Sequence, residues 1–240
     1  MPALETWGIS DRGLIRQNNE DCWLIDPSLS IAIVADGMGG ASCGEVASAL
    51  AVETVVEYLR YPPLTMPREK LLEEAFRRAN RRVLEYAHKE ETCKGMGSTI
   101  VAALWSLPRV TIANVGDSRA YLWRTGLLTQ LSYDQTLVNE LRVKFGLTAE
   151  EMSNFPHKNV LTMAVGSAED IMIQTRTETL APGDQILLCS DGLSGPVPDE
   201  LMAGILSRET PLRVEADELL EAAKAGGGPD NITAVLLRYH

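Results

Sequence analysis

Four aspartates stand beside glycine or another small residue at the ends of short apolar runs, and this arrangement restricts the chain more than any other feature. Asp36 lies in Val34-Ala35-Asp36-Gly37-Met38-Gly39-Gly40, and Asp117 in Asn114-Val115-Gly116-Asp117-Ser118-Arg119. Asp191 lies in Leu188-Cys189-Ser190-Asp191-Gly192-Leu193, and Asp230 in Gly226-Gly227-Gly228-Pro229-Asp230-Asn231. A carboxylate at a strand terminus projects from a rigid base, and the following glycine lets the backbone turn tightly enough to bring a carbonyl near a cation. A single Asp-Gly is an ordinary hairpin signal. Four such aspartates in one chain, two of them in Asp-Gly and each read as following a buried strand, point to a metal centre. No His or Cys accompanies them, and the chain holds only three histidines. Oxygen-only ligands suit Mg²⁺ or Mn²⁺ rather than zinc.

The apolar runs themselves predict strands over Ile31 to Ala35, Thr99 to Trp105, Val110 to Val115, Ala120 to Trp123, Gln185 to Cys189 and Thr233 to Leu237. Helical spacing runs from Val46 to Leu59 and from Leu71 to Val83, the second helix starting near Pro67, where proline is tolerated. A third is expected to start at Thr210-Pro211, read as a cap followed by proline. Helices do not alternate with strands one for one, so a doubly wound parallel sheet fits poorly. Antiparallel sheets with helices outside, an α+β architecture, fit better. Without a repeat or a low-complexity linker, residues 1–240 read as a single domain. The Arg77, Arg78, Arg81, Arg82 cluster reads as a solvated helix face, because Glu73 and Glu74 precede it at ion-pairing spacing.

A net charge of -11 excludes a nucleic-acid partner of the usual kind, which needs a positive field. No run approaches the roughly 18 apolar residues of a membrane span, so no membrane partner is expected. Met1 to Ser10 lacks a basic region followed by an apolar one, so no leader is expected there. Cys22, Cys43, Cys93 and Cys189 contain no C-x-x-C pair and are read as reduced thiols of a cytoplasmic protein. Asn231-Ile232-Thr233 matches a glycosylation acceptor, and in that compartment the match is coincidence. Gly37 to Gly40 suggests a phosphate loop but lacks its Lys-Ser/Thr.

In this order and context the motifs resemble the metal-dependent protein phosphatases of the 2C type, in their bacterial form. The resemblance begins at Ser10-Asp11-Arg12-Gly13, Arg16 and Asn19-Glu20-Asp21, and continues through Asp36-Gly37-Met38-Gly39-Gly40. It extends over Gly97-Ser98-Thr99, Gly116-Asp117-Ser118-Arg119, Leu161-Thr162, Ser190-Asp191-Gly192 and Gly228-Pro229-Asp230-Asn231-Ile232-Thr233. It implies a four-layer αββα sandwich, with a flap segment at about 134–165 in this numbering.

By this resemblance Asp36 bridges two ions, the Gly37 carbonyl binds one of them, and Asp191 and Asp230 hold the other. Asp117 with Asp191 would hold a weaker third ion. Glu20 would reach a metal through water, Asp21 and Asn231 would stand just behind the ligands, and Arg16 would grip the substrate phosphate. The implied reaction is hydrolysis of phosphoserine and phosphothreonine by in-line attack of a hydroxide bridging two Mn²⁺ or Mg²⁺ ions about 3.5–4 Å apart. Phosphorylated proteins, together with a cognate Ser/Thr kinase and its targets, are the expected partners of a monomer. The alternative is a catalytically weak phosphoprotein-binding or scaffold member of the same fold. Four positions depart from the family pattern. Met38 stands where eukaryotic relatives often carry histidine, leaving water as the acid. Gln135 replaces histidine in Asp134-Gln135-Thr136, Phe155 precedes Pro156, and Met163 follows Thr162. The last three are expected to bear on substrate preference.

Overall fold

The computed structural model describes residues 4–39, 43–63, 65–146, 148, 151, 155 and 160–240. Its strands are β1 (Leu4–Asp11), β2 (Asp21–Asp26), β3 (Ile31–Met38), β4 (Gly97–Ser98), β5 (Ile100–Ser106), β6 (Arg109–Val115), β7 (Arg119–Arg124), β8 (Leu127–Gln130), β9 (Gln174–Thr179), β10 (Gln185–Cys189) and β11 (Ile232–Tyr239). Two antiparallel sheets result, one ordered β1-β11-β10-β7-β8 and the other β2-β3-β5-β6-β9, with β4 paired to β3. The helices are α1 (Cys43–Leu59), α2 (Arg68–Lys89), α3 (Leu137–Phe145), α4 (Asp191–Ser194), α5 (Asp199–Leu206) and α6 (Leu212–Ala225).

The period-two geometry of strands explains why the apolar runs are continuous. In β3, Ile31, Ile33 and Ala35 join the core beneath α1 and α2, while Ala32 and Val34 join the core between the sheets. In β10, Leu187 and Cys189 face α5 and α6, while Ile186 and Leu188 face the other sheet. Such strands are buried on both faces and so show no polar alternation. The layers run helix, sheet, sheet, helix, as the αββα expectation requires.

Several expectations are corrected. Asp230 does not follow a buried strand; it precedes β11, entering from a glycine-rich turn. Thr210 does not cap α6, because the helix begins after Pro211 with no side-chain cap. Cys43 and Cys93 are not free thiols but form a disulfide, with Cα atoms 5.4 Å apart, tying the start of α1 to the turn after α2. That pairing spans 50 residues and has no local signature. Strands β1, β2, β8 and β9 carry little apolar signal; β9 (Gln-Thr-Arg-Thr-Glu-Thr) is an edge strand recruited by pairing with β6.

The expected ion pairs on α2 are present, Arg77 to Glu73 at 3.3 Å and Arg78 to Glu74 at 2.9 Å. Gly40 and, in the Ser153-Asn154-Phe155-Pro156-His157 stretch, all but Phe155 lie outside the described residues. No helix among the described residues is long and apolar enough to cross a membrane.

Candidate active site

Strand register assembles the acidic cluster. In the β2–β3 pair, Asp21 lies directly opposite Asp36. Across the sandwich, β10 ends at Cys189, so Asp191 opens α4, and Asp230 immediately precedes the partner strand β11. Asp117 sits in the turn between β6 and β7. Carboxylates separated by up to about two hundred positions in sequence thus meet where the ends of both sheets converge.

The cluster is held by neutral hydrogen bonds. Ser190 Oγ and Thr233 Oγ1 both donate to Asp21 Oδ2, at 2.7 and 2.6 Å. The Asp36 N–H donates to Thr99 Oγ1 at 3.1 Å, and the Asp36 carbonyl accepts from the Thr99 N–H at 2.8 Å. Thr99 and Ser118 share a further bond of 2.6 Å. Asn231 is almost fully buried, which removes it as a glycosylation acceptor. Its Oδ1 accepts from the Glu20 N–H at 2.8 Å while Nδ2 donates to the carbonyls of Arg12 and Asn18, so it fixes the loop that carries Arg16 and Glu20.

Gly37 is required sterically: a Cβ there would stand 2.0 Å from the Gly44 carbonyl oxygen. The Glu20 carboxylate lies against the same first turn of α1, because a Cβ on Gly44 would come within 2.5 Å of Glu20 Oε2. Arg16 is half-exposed, and its Nη2 contacts Asp230 Oδ2 at 2.6 Å. Asp11 stands apart from the cluster and anchors α6 through Lys224 at 2.8 Å.

Electrostatics identify what the cluster lacks. Burial pushes the Asp36 carboxyl well above the usual range, and Asp21, Asp191, Asp117 and Asp230 push it further. Asp21 is raised to about 7 by burial, against the bonds from Thr233 and Ser190, with Asp191 and Asp230 adding repulsion. Asp117 is raised to about 8 by burial, then by Asp191 and Asp134, with Arg119 opposing. Asp191 is raised by burial and by Asp230. Buried anions that repel one another bind protons or cations tightly.

Asp21 Oδ1 and Asp191 Oδ1 are buried with no hydrogen-bond partner. Unsatisfied buried carboxylate oxygens are costly and fit a hard divalent cation. Among the described residues no three His, Cys, Asp or Glu side chains form a complete ligand set. Asp21, Asp117, Asp191 and Asp230 all lie near enough to Asp36 to raise its carboxyl by repulsion.

A cleft of about 590 Å³ adjoins the cluster, lined by Asp117, Asp134, Thr136, Asn139, Asp191 and Asp230 among others. Of the departures from the family pattern, Gln135 is buried and hydrogen-bonded, and Met163 packs partly buried against the helix-side core. Both therefore stand inside the fold and could bear on substrate preference only through the segments they hold. The hydroxyl braces Thr99, Ser118, Ser190 and Thr233 went unassigned at the sequence level. Their motif neighbours marked the right segments, but nothing local says which hydroxyl faces which carboxylate.

Comparison with known proteins agrees with this geometry. The protein-family description "Protein phosphatase 2C" matches residues 11–236. The serine/threonine phosphatase stp of Listeria monocytogenes is 38% identical over 234 residues, covering 95% of this chain and 93% of that one. The serine/threonine protein phosphatase PstP of Mycobacterium tuberculosis is 39% identical over 228 residues, 95% of this chain and 43% of that longer protein. A solved structure of a PstP catalytic domain in complex with two manganese ions superposes with a TM-score of 0.88 at 34% identity, covering 100% of this chain and 99% of that one. The chain belongs to the protein phosphatase 2C family and is a protein phosphatase.

Proposed function

We propose that this chain removes phosphate from phosphoserine and phosphothreonine in proteins, with Mn²⁺ or Mg²⁺ held by Asp36, the Gly37 carbonyl, Asp191 and Asp230. The observation that carries this reading is the set of buried, mutually repelling carboxylates with an orphaned oxygen on Asp191. Bound there, two divalent ions supply a nucleophilic water at neutral pH and draw charge from the phosphate.

The protein's own groups do the rest. Arg16, on a loop fixed by Asn231 and paired with Asp230, offers a planar fork suited to a phosphate monoester. Glu20 stands one step behind it, within reach of a metal through water. Asp21 is braced by two hydroxyls and lies opposite Asp36 in the β2–β3 pair, behind the proposed ligands. Asp117, with Asp191, holds a weaker third ion. Met38 has no proton to give, so water protonates the leaving alkoxide.

The flap spans about 134–165 of a single 240-residue domain, and phosphorylated targets of a cognate Ser/Thr kinase are the substrates of a cytoplasmic, monomeric signalling enzyme. In that reducing compartment the Cys43–Cys93 bond would be subject to reduction.

The test is hydrolysis of an aryl phosphate and of a phosphothreonine peptide with Mn²⁺, with Mg²⁺ and with excess chelator, beside Asp36→Asn. Turnover should require metal, and the variant should lose it by orders of magnitude while keeping its circular dichroism. Hydrolysis that persists in chelator or in Asp36→Asn overturns the assignment. A folded, metal-loaded wild type without activity supports the phosphoprotein-binding alternative.

A further inference from the structure

Gln135 is almost fully buried and every hydrogen bond it makes joins two different segments. Its backbone N–H donates to the Gly116 carbonyl at 3.0 Å, and its side-chain Oε1 accepts from the Gly116 N–H at 2.7 Å. Both polar backbone groups of Gly116 are therefore satisfied by one residue. Nε2 donates to the Met172 carbonyl at 2.7 Å, and the Gln135 carbonyl accepts from the Thr162 N–H at 2.9 Å.

The partners force the orientation of the amide, because a backbone N–H can only donate and a backbone carbonyl only accept. One side chain thus ties the turn carrying Asp117 to the segment entering β9, and its backbone ties that turn to the returning leg of the flap. From the opposite side, Gly116 (φ +95°) packs so closely on Thr99 that a Cβ would stand 2.7 Å from Thr99 Cγ2. The turn is held between the brace of Asp36 and Gln135.

We propose that Gln135 is a positioning residue for the weaker metal site: by fixing the Gly116–Asp117 turn it aims the Asp117 carboxylate and couples that site to the flap. The inference rests on Asp117 being a metal ligand. A glutamine suits the position because it offers one acceptor and one donor at the required reach. Leucine of similar volume strands the Gly116 N–H and the Met172 carbonyl in a buried place, where an unmade hydrogen bond is felt in full. Asparagine is shorter by one methylene and cannot reach both.

The experiment measures, at pH 8, the Mn²⁺ concentration giving half-maximal hydrolysis of an aryl phosphate, the calorimetric number of tightly bound Mn²⁺ ions, and the melting temperature. Gln135→Leu and Gln135→Asn should each raise the half-maximal Mn²⁺ concentration about tenfold, the effect of one lost buried hydrogen bond. Both should keep two tight ions per chain and recover turnover at high Mn²⁺. Gln135→His, neutral at that pH and again offering one donor and one acceptor, should stay within about threefold of wild type.

Asp117→Ala, run beside them, separates the layers of the argument. If it leaves both the Mn²⁺ requirement and the turnover at saturating Mn²⁺ unchanged, Asp117 is not a ligand and the inference falls with that reading. If Asp117→Ala raises the requirement or lowers that turnover while both Gln135→Leu and Gln135→Asn stay within about twofold of wild type on both measures, Gln135 has no positioning role and this inference alone fails, whatever the melting temperatures. A loss in Gln135→His equal to that in Gln135→Leu also overturns it, since the donor–acceptor pair would not be what positions the turn. Asparagine keeps the test open should Gln135→Leu fail to fold.

Discussion

Arg16 holds Asp230 at 2.6 Å, and this one contact joins the proposed phosphate-binding group to the carboxylate cluster. The guanidinium is charged at any working pH, and the hydrogen bond and attraction of Asp230 outweigh the opposing effect of burial and strengthen its hold on the proton. If Asp230 holds a divalent ion as proposed, that ion would compete with Arg16 for its carboxylate and leave the fork freer for phosphate. Removing the fork should weaken ground-state and transition-state binding alike. Arg16→Ala is therefore expected to raise KM for a phosphopeptide about tenfold or more with a smaller fall in kcat. Steady-state kinetics check this, and an unchanged KM removes Arg16 from phosphate binding. On the proposed assignment Asp117 is the spare carboxylate. Asp117→Ala should retain two tight ions by calorimetry yet turn over much more slowly, because a site with few carboxylates holds Mg²⁺ loosely. A variant that loses thermal stability while keeping wild-type turnover would make Asp117 only a turn residue.

Among the elements, those buried on two faces are the ones the sequence displays most clearly. β3, β5, β6, β10 and β11 appear as apolar runs because neither face meets water. α2 shows its spacing because one side is charged and the other carries Leu72, Phe76, Ala79 and Val83 with no exposure. Phe76→Ala should cost about 3–5 kcal/mol, the range for emptying a large buried aromatic site, read by chemical denaturation; a loss under about 1 kcal/mol would mean the helix repacks. α3 is different in kind. Thr136 caps it by accepting from the Asn139 N–H, and Gly146 ends it in the left-handed region. Yet it turns Val143 and Phe145 outward, two-thirds exposed. Exposed apolar groups on an element beside the cleft suit contact with a protein substrate. Phe145→Ala should alter preference among phosphopeptides while leaving aryl phosphate hydrolysis within about twofold. Equal losses on both substrates would assign α3 to chemistry or stability instead.

At the scale of the whole molecule, the sandwich concentrates negative charge in a chain whose net charge is already -11. Asp21 and Asp117, raised to about 7 and about 8 chiefly by burial, hold protons more tightly folded than unfolded, where the value is 3.8. Their contribution to stability is fully present below the unfolded value and is lost as pH rises through about 7 to 8. In chelator the melting temperature should therefore fall between about pH 4 and about pH 8, and saturating Mn²⁺ should flatten or reverse the fall by replacing the protons. A pH-independent melting temperature in chelator would show that the cluster is not under this repulsion.

What the sequence determined by itself is local: which runs are buried on both faces, which aspartates sit at tight turns, and the order of motifs that marks the family. Period, turn chemistry and ligand type are written within a few neighbouring residues. Only the tertiary structure decided that Asp21 faces Asp36, that Asp230 enters β11 instead of leaving a strand, that Cys43 meets Cys93, and that Gln135 clamps Gly116. Each of those depends on segments tens to hundreds of residues apart arriving together, and that arrival is set by the packing of two sheets as a whole, which no short stretch of sequence encodes.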